Sequence, residues 1–330
     1  MKVAIVGFGT AGAARVSAYQ AIPEAELCAV VDPVAARREC AVEEFGLPAF
    51  ASLSELVGKV DAVDICSPPA FHLELSLAAL NAGMHVICEK PVAFRSGAAD
   101  ALVEASRRNG RLLYPAHNYG FSPMMRLLSG AIGDGRIGSP MTATFQIGRD
   151  SHARGITGWQ PDWRRDPDLA CGGILLDHGT HCVYMATRLF GAVPAKVSCV
   201  AEWSSPTVDE AVEVHLDFPG GACDIQLSWI SEGRTNLYQC SGPHGSISVR
   251  NGTAILESEG TTTEQELSSP TGSSTHEEWF AAIFADFRGR IGDESTWDGP
   301  LGEMAATARI LEAAYQSARM SGQPVALATP

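Results

Sequence analysis

The 330-residue chain has no apolar run long enough to cross a bilayer, no C-x-x-C pair and no excess of positive charge. A spanning helix needs about 18–20 apolar residues, so the sequence predicts no membrane span. The nine cysteines, Cys28, Cys40, Cys66, Cys88, Cys171, Cys182, Cys199, Cys223 and Cys240, are odd in number and scattered. That pattern indicates neither a disulfide framework nor a zinc site, and several sit in apolar runs where a reduced thiol acts as a small hydrophobe. The first residues lack the basic region and cleavage site of a signal peptide. A reducing cytoplasm is the expectation. Net charge is −14, which argues against nucleic acid or an anionic membrane as a partner. The deficit is concentrated in residues 119–330, net −11, against −3 for residues 1–118. A solvated acidic surface accounts for it, although attraction of a cationic substrate such as an amino sugar is the other reading.

What the chain does have begins at its first strand. Val3-Ala4-Ile5-Val6 leads into Gly7-Phe8-Gly9-Thr10-Ala11-Gly12, and a second apolar run, Leu27 to Val31, ends on Asp32. G-x-G-x-x-G between strand and helix, with an acid about 20 residues later, is a dinucleotide-binding pattern. The glycines permit a tight turn, backbone approach to a pyrophosphate and close helix packing. The helix N-terminus then holds the phosphate charge. A carboxylate at Asp32 accepts hydrogen bonds from a ribose diol and repels a 2′-phosphate, so NAD is expected over NADP. Arg37 and Arg38 follow, and read as the solvated face of the next helix.

Strand and helix patterns alternate through residue 118, which predicts a doubly wound parallel sheet. From about Thr142 the texture changes to strands of alternating polarity separated by turns such as Pro219-Gly220-Gly221 and Asn251-Gly252. These predict a large, open, mostly antiparallel sheet carrying a helix near Asp177–Phe190. A polar loop is expected at Gly260–Ser274, and helices at His276–Arg290 and Leu301–Ser321. The expected fold class is therefore α/β followed by α+β, with domains at 1–118 and 119–330.

Three segments carry candidate chemistry. Glu89-Lys90-Pro91 ends a parallel strand, where open α/β sheets bind ligands, so Lys90 is either a donor to a substrate oxygen or a surface lysine. Asp177 and His181, spaced i, i+4, would share one helix face, where a carboxylate tunes an imidazole for proton transfer. A capping Asp177 and a structural His181 are the alternative, and His178 lies off that face. No third ligand stands nearby to make a metal site. Trp163 and Arg164, in a polar-aromatic loop, suit a sugar ring and an anionic group, or simply anchor the loop.

Taken together these pieces resemble the Gfo/Idh/MocA oxidoreductases, the glucose–fructose oxidoreductase and inositol dehydrogenase family. The resemblance rests on Gly7–Gly12, Asp32, Ser67-Pro68-Pro69 with His72, and Ala82 through Pro91. Further on it rests on Gly172-Gly173 to His181 and on Ala314-Tyr315-Gln316-Ser317-Ala318. It implies a Rossmann domain followed by an open-sheet domain, self-associating as a homodimer or homotetramer. It implies an NAD-dependent dehydrogenase acting on a secondary hydroxyl of a sugar, amino sugar or cyclitol. Lys90 would contact the reacting oxygen, His181 would carry the proton, and Asp177 would be its partner or a substrate ligand. Ser67, Pro68 and His72, with Glu89, Lys90 and Asn118, would line the cofactor, and Lys90-Pro91 is a peptide often found cis. An NAD-retaining glycosidase working by transient oxidation and elimination, and a non-catalytic NAD-binding paralogue, are the alternatives. Two departures stand out: Cys171 where the family usually has a first glycine, and Gly120 where it often has arginine.

Overall fold

The computed structural model describes residues 1–156, 159–267 and 277–327. Strands β1 (Lys2–Val6), β2 (Glu26–Val31), β3 (Ala49–Phe50), β4 (Ala62–Ile65), β5 (His85–Cys88) and β6 (Leu113–Pro115) form one sheet. Its order is β3-β2-β1-β4-β5-β6, with every pairing parallel. Helices α1 (Thr10–Gln20), α2 (Ala35–Phe45), α3 (His72–Asn81) and α4 (Ser96–Asn109) provide crossovers. Strands covered on both faces read as continuous apolar runs, as Val3–Val6 and Val86–Cys88 do. The order reverses between β1 and β4, which opens a crevice at their carboxyl ends.

Helix α5 (Pro123–Gly133) leads into β7 (Met141–Gly148), followed by α6 (Pro167–Ala170) and α7 (Thr180–Phe190). The remaining strands are β8 (Lys196–Ser205), β9 (Val208–Phe218), β10 (Gly221–Ser228), β11 (Thr235–Gly242), β12 (Gly245–Arg250), β13 (Thr253–Ser258), β14 (Thr261–Glu266) and β15 (Val325–Ala326). With β7 they form a nine-stranded sheet in the order β14-β13-β12-β11-β7-β10-β9-β8-β15. Only the β7–β10 pair in it is parallel. Burial alternates along β9 and β10, so one face packs on helices and the other is open.

Two expectations need correction. Thr261–Glu266 is an edge strand paired with β13, not part of a loop. All six of its side chains are exposed and polar, so no apolar alternation marked it. Residues 268–274 of the expected loop, and His276, lie outside the described residues. The Asp177–Phe190 helix also begins differently: Leu175–Gly179 is a π-helical turn, and α-helix starts only at Thr180.

Helices α8 (Glu277–Arg290) and α9 (Asp298–Arg319) return the chain to the first sheet. Phe280, Ile283, Phe284 and Phe287 of α8, with Leu301 and Met304 of α9, join the core of that sheet. Ile310, Leu311, Ala314 and Tyr315, farther along α9, join the core of the second. One helix thus pins the two sheets together beside the crevice.

Candidate active site

The nucleotide loop is built by close backbone approach. A Cβ on Gly7, whose φ is +94°, would lie 2.7 Å from the Ser67 nitrogen, and one on Gly12 would lie 2.1 Å from the Gly7 oxygen. At Gly9 a Cβ would meet nothing within 4 Å, so that face is open. No side chain caps α1 at Gly9, which leaves the first-turn N–H groups of Thr10, Ala11 and Gly12 to an anion. The Phe8 ring is buried edge-on against Phe45, so Phe8 contributes backbone alone. Its N–H donates to Asp32 Oδ2 at 2.8 Å, and the Val34 N–H donates to Oδ1 at 2.8 Å. Each carboxylate oxygen keeps a lone pair for a ribose hydroxyl. The arginines behind Asp32 are not a solvated face, contrary to expectation. Arg37 Nε donates to the Phe8 carbonyl at 2.9 Å, and Arg38 donates to the Asp32 and Pro33 carbonyls at 2.8 and 2.9 Å. Carbonyls left unpaired by the tight loop recruit them. These features fit a dinucleotide.

At the ends of β4 and β5 the expected residues converge, with different assignments. His72 is buried with both ring nitrogens on carbonyl oxygens, Pro91 at 2.8 Å and Ser67 at 2.7 Å. It ties the two strand-end loops together and has no nitrogen left for a cofactor, which corrects the expectation. Glu89 pairs with Arg15 of α1 and accepts the Lys90 N–H at 3.2 Å. Arg15 in turn meets Asp64 at 3.2 Å and lies over the Phe280 ring. Lys90-Pro91 is cis. Among the described residues nothing donates to the buried Asn118 Oδ1, an acceptor in want of a donor.

The catalytic candidates meet around Asp177. Lys90 Nζ donates to the Asp177 carbonyl at 2.7 Å and to Oδ1 at 3.0 Å. Oδ2 faces Arg164 Nε at 3.4 Å and His178 Nδ1 at 3.3 Å. Burial raises the Asp177 carboxyl, but Lys90, Arg164 and His178 outweigh it and hold the group well below the ordinary carboxylate range. It is therefore ionised. His181 is not its partner: the π turn shifts the register that i, i+4 spacing assumed, and among the described residues the buried His181 Nδ1 has no hydrogen-bond partner. Its ring lies on Tyr119, centroids 4.3 Å apart. Burial, then Lys90, His178 and His117, push its pKa well below the usual histidine value, so it is neutral near pH 7. His178 and Tyr119 are the participants that sequence reasoning missed. A π turn inside the motif was the missing signal.

Trp163 and Arg164 belong to a short 3-10 turn, the guanidinium 4.4 Å from the Trp163 ring centroid. A cleft lined by Ala11, Ser67, Lys90, Trp163, Arg164 and Asp177 joins this cluster to the nucleotide loop. At the two departures, Cys171 has φ +62°, the left-handed region that glycine favours. A Cβ on Gly120 would lie 2.3 Å from the Tyr184 hydroxyl, which excludes any longer side chain in this arrangement. Among the described residues no group of three His, Cys, Asp or Glu is placed to hold a metal.

Residues 1–117 match the profile of an oxidoreductase family with an NAD-binding Rossmann fold, and residues 125–248 match the GFO/IDH/MocA C-terminal domain. Mouse trans-1,2-dihydrobenzene-1,2-diol dehydrogenase is 31% identical over 219 residues, 65% of this chain and 63% of that one. The rabbit protein of the same name is 30% identical over 251 residues, 73% of each chain. Several curated relatives, the mouse protein among them, are covered over 54–64% of their own length. The structure of levoglucosan dehydrogenase in complex with NADH superposes with a TM-score of 0.85 at 21% identity, covering 100% of both chains, which shows the fold.

Proposed function

The chain belongs to the Gfo/Idh/MocA oxidoreductase family, and on that premise we propose that it interconverts a secondary hydroxyl and a ketone on a sugar, amino sugar or cyclitol. The observation that carries the reading is the Lys90–Asp177 contact, set in a cleft that reaches the nucleotide loop. The relatives named as diol and levoglucosan dehydrogenases support a polyol substrate.

NAD, held by the loop from Gly7 to Gly12 and by Asp32, supplies hydride chemistry at the nicotinamide C4 when bound. The rest falls to side chains. An ammonium has three donors, and two of the Lys90 N–H groups are taken by Asp177, which leaves one for the substrate oxygen. Lys90 thus stabilises negative charge on that oxygen as the carbon changes oxidation state. Neutral His181 accepts the hydroxyl proton in oxidation and returns it in reduction. Asp177 fixes Lys90 and Arg164, and Trp163, which carries the Arg164 guanidinium over its ring, lines the cleft.

The open face of the second sheet, where Val200 is exposed, is the surface for a homodimer or homotetramer in this reading, and light scattering tests it. Nine free cysteines, six of them buried, accord with a reducing cytoplasm. The activity is tested by following reduced nicotinamide while the protein meets cyclitols, hexoses and amino sugars with NAD or NADP. Turnover with NAD and formation of the ketone support the proposal; no turnover by a protein that binds NADH overturns it.

A further inference from the structure

We propose that Asp209, paired with Tyr315, is a positioning residue that fixes the turn presenting Asp177 and His178 to the cleft. The proposal rests on the reading of Asp177 and Lys90 given above. Asp209 lies on β9 and its side chain is fully buried, outside the cleft lining. Its Oδ1 accepts the Gly173 N–H at 2.9 Å and the Tyr315 hydroxyl at 2.7 Å, and Oδ2 accepts the Leu175 N–H at 2.7 Å. Three donors converge on one carboxylate, whose ionised, acceptor-only form takes all three with no proton of its own to place. Among the described residues no cation pairs with it. Burial raises the carboxyl above its ordinary value, and the hydrogen bonds from Leu175, Tyr315 and Gly173 oppose that rise.

The backbone around this carboxylate leaves no slack. A Cβ on Gly173 would stand 1.8 Å from the Asp209 carbonyl oxygen and 2.5 Å from its nitrogen. On Gly172 it would stand 2.4 Å from the Tyr315 hydroxyl. Gly172-Gly173 is therefore there to let the chain press against β9 and α9. Leu175 opens the π turn, where N–H groups lack intrahelical partners, and Asp209 supplies one. Two residues on, Asp177 grips Lys90 through both its carbonyl and its carboxylate. The next residue on β9 holds the opposite flank: Glu210 pairs with Arg165 at 2.5 Å, beside the Arg164 that faces Asp177. Consecutive β9 residues thus set both sides of the polar cluster.

Asp209→Asn preserves shape but turns an N–H₂ toward a donor, and Tyr315→Phe removes one donor while keeping the carboxylate. Misplacing a catalytic group by about 1 Å costs on the order of 10²-fold. Asp209→Asn should therefore lose about 30- to 100-fold in kcat, and Tyr315→Phe about 3- to 10-fold. NADH Kd, read from nicotinamide fluorescence, should stay within about 2-fold in both, because the loop that holds it is built separately. Should Asp209→Asn fail to fold, Tyr315→Phe decides the matter. Wild-type kcat in Tyr315→Phe, or parallel loss of kcat and NADH affinity, overturns the proposal. Crystal structures of the variants separate this from the reaction itself. A displaced 172–179 turn with a lengthened Lys90–Asp177 contact supports positioning even if the substrate class is wrong, and an unmoved turn overturns it.

Discussion

Lys90 and Asp177 stand 87 residues apart in sequence, yet the ammonium lies 3.0 Å from the carboxylate and 2.7 Å from the carbonyl of the same residue. One comes from the parallel sheet, the other from a π turn on the second, so the contact exists only when both are docked. Asp177→Asn keeps the shape but removes the charge that holds Lys90 and Arg164. It should lower kcat/KM by about 10²- to 10³-fold, the scale of losing one aimed donor, with NADH affinity unchanged. Asp177→Ala leaves two cations without their carboxylate and should cost about 3 kcal/mol in denaturant unfolding. A smaller loss than about 1 kcal/mol would mean that solvent already screens the cluster.

The pH profile of oxidation follows from His181. Its pKa in the folded protein is lowered by burial and by Lys90, His178 and His117, so the neutral form persists well below pH 6.5. The acid limb of kcat/KM for the free enzyme should therefore fall below the ordinary histidine value. A limb centred at about pH 6.5 or above would assign the proton to another group.

Stability should share the same sign. Burial lowers His117 to about 3, and burial with Arg111 lowers His85 to about 4, while both titrate near 6.5 once unfolded. Above that pH neither state binds the protons and stability is flat. Below it the unfolded chain takes up protons that the folded chain refuses, and stability drops by about 1.4 kcal/mol per pH unit for each such histidine. Melting temperatures should hold between about pH 6.5 and 8 and fall steadily below about 6.5. His117, stacked on Tyr184 at 4.1 Å, is replaceable by Phe, and that variant should show a shallower fall.

Cys171 carries a left-handed backbone for which glycine has no steric penalty. Cys171→Gly should leave stability equal or raise it by up to about 1 kcal/mol, since relief of the strain outweighs the added freedom of the unfolded chain. Chemical unfolding measures it, and a loss above about 1 kcal/mol would show that the thiol contributes packing.

Much of this arrangement was legible because it depends on local pattern. Gly7, Gly9, Gly12 and Asp32 mark a loop whose geometry is set within one strand–helix–strand unit, and alternation marked β9 and β10. The return of α8 and α9 to the first core was not legible, because an apolar helix face does not name the sheet it covers. The partners of Asp177 were misread for a different reason. Helical periodicity of 3.6 paired it with His181, whereas the π turn hands it to Lys90, Arg164 and His178. His72, matched to a cofactor-lining position, spends both nitrogens on backbone carbonyls that only the folded strand ends bring together.

The most direct measurement is turnover of the polyol panel with NAD by the wild-type protein, by Lys90→Ala and by His181→Ala, alongside NADH binding. Turnover of one polyol class by the wild type is expected, with kcat/KM lower by at least about 10²-fold in each variant and NADH affinity retained. Undiminished turnover in either variant would contradict it.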